Sequence, residues 1–154
     1  MKVNLLYPSD YFDIKEVEQC YEEEYKAACK IPQFDIIRYD YDAFMLSGEL
    51  KTYPKNLSHG FCIYRGWMLK PKKYRELYER LYHRGVLLIN NPDEYDRCHL
   101  FPNIYKDIEG YTPKAIWYQQ NEEIDWNRVN KEFTKFMIKD YVKSVKGADF
   151  PSFF

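Results

Sequence analysis

Glycine is scarce in this chain, with 6 among 154 residues. Neither GxGxxG nor GxxxxGK[ST] occurs, so both glycine-rich ways of wrapping backbone N–H groups around a phosphate are absent. The four cysteines, Cys20, Cys29, Cys62 and Cys98, show no CxxC or other metal spacing. Cys20 and Cys29 fall on one expected helix, too far apart to bridge. No apolar run approaches the roughly 20 residues a membrane span needs. The N-terminus, MKVNLLYP, reads directly as a strand rather than a signal peptide, which places the chain in the cytoplasm with reduced thiols. Charge of one sign is missing too. Lys and Arg number 23 against 24 Asp and Glu, so no general field draws the protein to nucleic acid or anionic lipid.

What is abundant is aromatic: 16 Tyr, 10 Phe and 3 Trp. Tyrosine stacks nucleobases, and it also packs half-buried with its hydroxyl in water; the second is the ordinary reading for any one ring. A content of 45% hydrophobic and 31% charged residues describes a globular chain. At this length a single hydrophobic core is expected to suffice without staples.

Apolar patterning then sets the elements. KVNLLYP (Lys2–Pro8) is a strand ended by proline, with Ser9 and Asp10 in the loop after it. Asp13 and Glu16 stand in capping-box spacing and predict a helix carrying Ile14, Val17, Tyr21, Tyr25 and Ala28 inward. Glu22–Glu24 reads as its solvated face. FDIIRYDY (Phe34–Tyr41) is a second strand, completing the β-α-β unit of a parallel sheet. Gly48–Lys55 is an irregular excursion or an edge strand. HGFCIYRG (His59–Gly66) is a third clear strand.

Pro71 opens a helix with Tyr74, Leu77, Tyr78 and Leu81 on its inner stripe and Gly85 closing it. VLLIN (Val86–Asn90) has the continuous apolarity of a strand buried on both faces. Asn91-Pro92-Asp93-Glu94 starts a further helix, which Pro102 and the Gly110–Pro113 cluster interrupt. KAIWY (Lys114–Tyr118) predicts one more strand, and a helix follows the acidic turn at Asn121–Asp125 through about Phe133. The expected fold is α/β, a mostly parallel sheet with helices on both faces.

FMIKDYVKSVKG (Phe136–Gly147) reads two ways. Lys131, Lys135, Lys139 and Lys143 recur every fourth residue, which would draw a basic stripe on a helix, commonly just a solvated face. Met137–Val142 is instead rich in strand formers, which predicts helix to about Phe136 followed by strand.

YPSDYF, YRGWMLKP, LLINNPDEYDR, Thr112-Pro113 and KDYVKSVKG together resemble an ATP-grasp protein, of a bacterial and phage clade whose acceptor is unassigned. The resemblance spans essentially the whole chain. It implies a Rossmann-like N-terminal (pre-ATP-grasp) domain over residues 1–120 and the start of an ATP-grasp nucleotide lobe over 121–154. It further implies that Lys139 is the strand lysine on the ATP phosphates, Arg97 its upstream partner, and Lys143 and Ser144 part of the covering loop. Arg97 stands where many members have lysine, and KSVKG has one glycine where many have several.

A lysine on a strand floor offers a point charge to phosphate, and backbone N–H groups of a following loop complete the cradle. A complete enzyme of this family uses ATP and Mg²⁺ to activate a carboxylate as an acyl-phosphate and join it to an amine or thiol. The metal ligands belong to a second lobe, so the chain by itself is expected to be inert, whether it is an excised N-terminal part or a natural short form.

Arg65, at the carboxyl end of its strand, with Ser9 and Asp10 after the first strand, sits where open parallel sheets bind ligands and is the expected acceptor site. Its bland alternative is a surface arginine paired to a carboxylate. A different class of function is a stand-alone binding or inhibitor protein, encoded by a phage or other mobile element, that occupies a protein partner. The tail residues Phe150, Phe153 and Phe154 suggest dimerisation through an apolar end.

His59, His83 and His99 lack ligand spacing and read as surface or packing residues. Cys98-His99 offers a thiol near an imidazole, with no structural context for a thiol enzyme. Tyr53, Tyr64 and Trp67 with Lys51, Lys55 and Lys70 form an aromatic and basic set suited to single-stranded nucleic acid, though scattered acids favour an ordinary solvated surface.

Overall fold

In a computed structural model the structure describes residues 2–139. Two compact units are present, one ending at Tyr95 and one beginning at Asp96, whereas the resemblance implies a boundary at 120/121.

The first unit is an α/β sheet in the order β3-β2-β1-β4-β5. Its strands are β1 (Val3–Pro8), β2 (Phe34–Tyr39), β3 (Thr52–Tyr53), β4 (Gly60–Tyr64) and β5 (Val86–Leu88). The β1/β2, β1/β4 and β4/β5 pairs are parallel, and only the two-residue edge strand β3 runs antiparallel. Register is set by period-two alternation, which sends Leu5 and Tyr7 to one face and Leu6 to the other.

The chain leaves β1 for β2 in one direction and later places β4 on the other side of β1. Right-handed crossovers running in opposite directions lay their helices on opposite faces. Accordingly α1 (Glu22–Ala28), with the turn before it, covers Leu5 and Tyr7 through Ala28, Tyr25 and, from the turn, Tyr21. On the other face α2 (Tyr41–Ser47) and α3 (Pro71–Tyr82) bring Phe44, Tyr74, Leu77 and Leu81 onto Leu6, Ile37 and Val86. This second cluster is the larger core.

Several expectations are met at residue level. Pro71 occupies the first turn of α3, and Gly85 follows its end at φ 77°, a left-handed conformation that costs other residues about 1–3 kcal/mol. Asn91 caps α4 (Pro92–His99): its Oδ1 accepts from the N–H groups of Asp93 and Glu94, and Glu94 returns the bond to the Asn91 N–H.

Other expectations are corrected. No helix begins at Asp13. Ser9 instead bridges Val17, the Asp10 N–H donates to Glu16 O, and the chain makes an exposed turn with Tyr11 and Phe12 at its tip before a 3-10 turn (Gln19–Tyr21) leads into α1. Aspartate followed by glutamate at i+3 served a local turn, since the Asp13 carboxylate accepts from the Lys15 N–H. The second strand stops at Tyr39 rather than Tyr41, because Asp40 caps the unforeseen α2 by accepting from the Ala43 N–H at 2.9 Å.

The second unit holds the last turn of α4, α5 (Phe101–Ile108) and α6 (Trp126–Glu132). Pro102 interrupts the helix as expected and starts α5 in its first turn. Lys114–Tyr118 is not a strand; Trp117 packs edge-to-face on Tyr105 (5.3 Å), and the Tyr105 hydroxyl accepts from the Ala115 N–H. Asp125 caps α6, as the acidic turn implied. The helix ends at Glu132, so Lys131 is its last-turn cation and Lys135 lies beyond it. From Phe133 to Lys139 the backbone is irregular, with one isolated bridge at Met137; the remainder of the expected strand lies outside the described residues.

Candidate functional site at the carboxyl edge of the sheet

β1 is the strand at which the sheet order reverses, with β2 on one side and β4 on the other. The crevice outside such a reversal is where open parallel sheets hold ligands. β1 enters it through Pro8 and Ser9, and β4 through Arg65, whose N–H donates to Leu6 O at 2.8 Å.

Arg65 forms the central feature. Its Nε and Nη2 donate to Glu24 Oε1 and Oε2, each at 2.6 Å. The buried Tyr7 supplies a third hydrogen bond, its hydroxyl donating to Glu24 Oε1 at 2.9 Å. The Arg65 guanidinium, followed by the Tyr7 hydroxyl, holds the Glu24 carboxyl below the usual range, and Glu24 in turn raises Arg65. Burial, and then the bond to the Glu24 carboxylate, pushes the Tyr7 phenol well above its ordinary value. Because the ion pair is nearly half exposed (45% and 42%), it adds little to stability.

Aromatic rings line the same edge. Tyr21 meets Tyr7 (6.2 Å) and Trp67 (5.7 Å), and Trp67 meets Tyr41 (4.7 Å), all edge-to-face. Burial, ahead of weaker charge effects, raises the Tyr21 phenol to about 12. The Arg65–Trp67 segment is anchored from below, where the Tyr64 hydroxyl donates to Trp67 O (2.6 Å) and lies 3.0 Å from the Tyr39 hydroxyl.

The residues singled out from sequence take different positions. Ser9 is buried, and its N–H donates to Tyr39 O. Asp10 spends its Oδ1 on the N–H groups of Phe12 and Asp13, stiffening its own loop. Both share the carboxyl edge with Arg65, but the side chains that surround Arg65 are Glu24, Tyr7 and Tyr21. Beside the loop, a cavity of about 310 Å³ is lined by Asp10, Glu16, Val17, Glu22, Tyr25 and Lys26, among others.

In the second unit, Arg97 is bonded to Asp107 (2.6 Å) at the end of α4, and Lys139 is exposed on non-helical backbone. Lys143 and Ser144, and the Phe-rich tail, lie outside the described residues. The aromatic and basic set does not gather: Tyr53 lies under the Arg38 guanidinium, and Tyr64 turns toward the core.

Sequence reasoning missed Glu24, Tyr7, Tyr21 and Tyr41 as site residues. Three consecutive glutamates read as one solvated face, and only the third meets an arginine 41 positions away.

Among the described residues no group of three or more His, Cys, Asp or Glu is placed to hold a metal, and no helix is long and apolar enough to cross a membrane. Compared with protein-family models, curated proteins and solved structures, the chain matches none.

Proposed function

We propose that this chain is the Rossmann-like, acceptor-side part of an ATP-grasp-type ligase. ATP and Mg²⁺ would be engaged with a nucleotide lobe entered after α6. The observation that carries the reading is the reversal at β1, which brings the Ser9–Asp10 loop and Arg65 to one carboxyl edge. An acceptor carboxylate bound there would be the group that accepts the phosphoryl from ATP, with ADP leaving, and excluding water from that edge would protect the acyl-phosphate.

On the nucleotide side, the exposed, non-helical placement of Lys139 supports its role, because a side chain in that setting is free to turn toward a polyphosphate. Arg97 would have to exchange Asp107 for phosphate, an exchange between two surface hydrogen bonds.

Titration of Mg-ATP against the chain and against Lys139→Ala tests the reading. The expected result is weak, millimolar binding, lowered about tenfold by the substitution, on the order of the loss of one charge-assisted hydrogen bond. Indistinguishable titrations would remove Lys139 from the site and the nucleotide role with it.

A further inference from the structure

Arg65 uses only one side of its guanidinium. Five N–H donors lie in a fixed plane, and the edge formed by Nε and Nη2 is taken by Glu24. The other edge, Nη1 with the second hydrogen of Nη2, still presents two parallel donors, and the side chain is 45% exposed. The plane of that free edge is set by Glu24, which Tyr7 holds from the buried side. Tyr21 lies within electrostatic reach of Arg65 and packs edge-to-face on Trp67, two residues further along the chain, with Trp67 37% exposed and Tyr41 against its ring.

The geometry points to a subsite for a planar aromatic carboxylate, the carboxylate taking the free edge of Arg65 and the ring lying against Trp67 and Tyr21. This names the acceptor class and rests on the function proposed above. Two parallel N–H donors match a carboxylate in a way a lysine would not. Glu24 already neutralises Arg65, so a doubly charged phosphate gains little attraction there and meets more repulsion than a singly charged acid does. The neighbouring rings supply the apolar, quadrupolar surface an aromatic body packs on. Glu24 is a positioning residue in this arrangement.

Titrating the chain with benzoate, acetate and inorganic phosphate, followed by NMR at the Arg65 side chain and the Trp67 indole, tests the assignment. Benzoate should saturate both signals and bind about tenfold more tightly than acetate, with phosphate a poor competitor. Arg65→Lys keeps the charge and loses the fork, and should weaken benzoate about tenfold. Trp67→Leu should weaken benzoate and leave acetate unchanged. Glu24→Gln should shift the preference from benzoate toward phosphate, a change that loss of a merely structural contact would not produce.

Absence of saturable shifts with benzoate, or equal benzoate affinity in wild type and Arg65→Lys, would overturn the subsite. If benzoate fails while ATP binding remains dependent on Lys139, only the acceptor class falls. If benzoate binds without Lys139-dependent ATP binding, the subsite stands and the ligase reading falls.

Discussion

Tyr95→Phe removes a single oxygen that holds Leu69, in the segment between β4 and α3. The Tyr95 hydroxyl accepts from the Leu69 N–H at 2.9 Å and donates to Leu69 O at 3.0 Å, closing both backbone groups of one residue. Both residues are buried, Leu69 at 1% and Tyr95 at 4% exposure, so water cannot replace the lost partner without opening the core. The ring itself would stay, stacked on Tyr74 with centroids 3.7 Å apart.

An unsatisfied buried N–H costs about 1–3 kcal/mol and the carbonyl adds about 1, so the expected loss is about 2–4 kcal/mol. With a urea slope of roughly 1.5–2 kcal/mol/M, the midpoint should fall by about 1–3 M at unchanged slope. Tyr82→Phe, at a ring that is 62% exposed, is the control and should stay within about 0.5 kcal/mol. Amide hydrogen exchange at Leu69 should accelerate in the first variant only. A midpoint matching that of Tyr82→Phe, together with unchanged Leu69 exchange, would refute the bridging role of the hydroxyl.

Gly85→Ala should destabilise the first unit by about 1–3 kcal/mol, because φ is 77° and a Cβ would approach the His59 ring to 2.6 Å; in the His59→Ala background only the backbone part of the loss should remain, measured by the same urea series. Alkaline pH should destabilise the fold through its phenols. Burial raises Tyr7, Tyr39, Tyr64 and Tyr74 far above their ordinary values and Tyr21 to about 12, so the native state holds protons the unfolded chain releases. That contribution is complete below about pH 10 and lost as pH rises from there past 12, to be followed by urea midpoints and phenolate absorbance. Stability that kept rising above pH 10 would contradict it.

The local chemistry of the chain was sufficient for much of the fold. Proline and glycine bounded α3, Asn91 announced α4, and strand runs separated by helical periods implied parallel pairing. These signals act over a few residues, through caps, φ preferences and alternation, so they are readable one segment at a time. Where two local uses of the same residues compete, the sequence misled. Asp13 and Glu16 suit a capping box and a tight turn alike, and the bridge from Ser9 to Val17 chose the turn. KAIWY has strand composition, but composition alone does not provide a neighbouring strand.

The candidate site divides the same way. The place of Arg65 at the carboxyl edge was legible because a residue ending a strand of a parallel sheet lies there, and its pairing to a carboxylate was the alternative the sequence offered. Its partners were not, since Glu24 and Tyr7 reach it only after α1 folds over β1 and β4 takes its place beside that strand. Sequence by itself determined the segments whose local signals agree, such as β1, β4, α3 and α4 with its Asn91 cap, and left open those where two local uses compete. Tertiary structure alone decided that one glutamate of three would fix an arginine and that three aromatic rings would gather next to it. Long-range proximity depends on sheet order, and order is a property of the assembled chain.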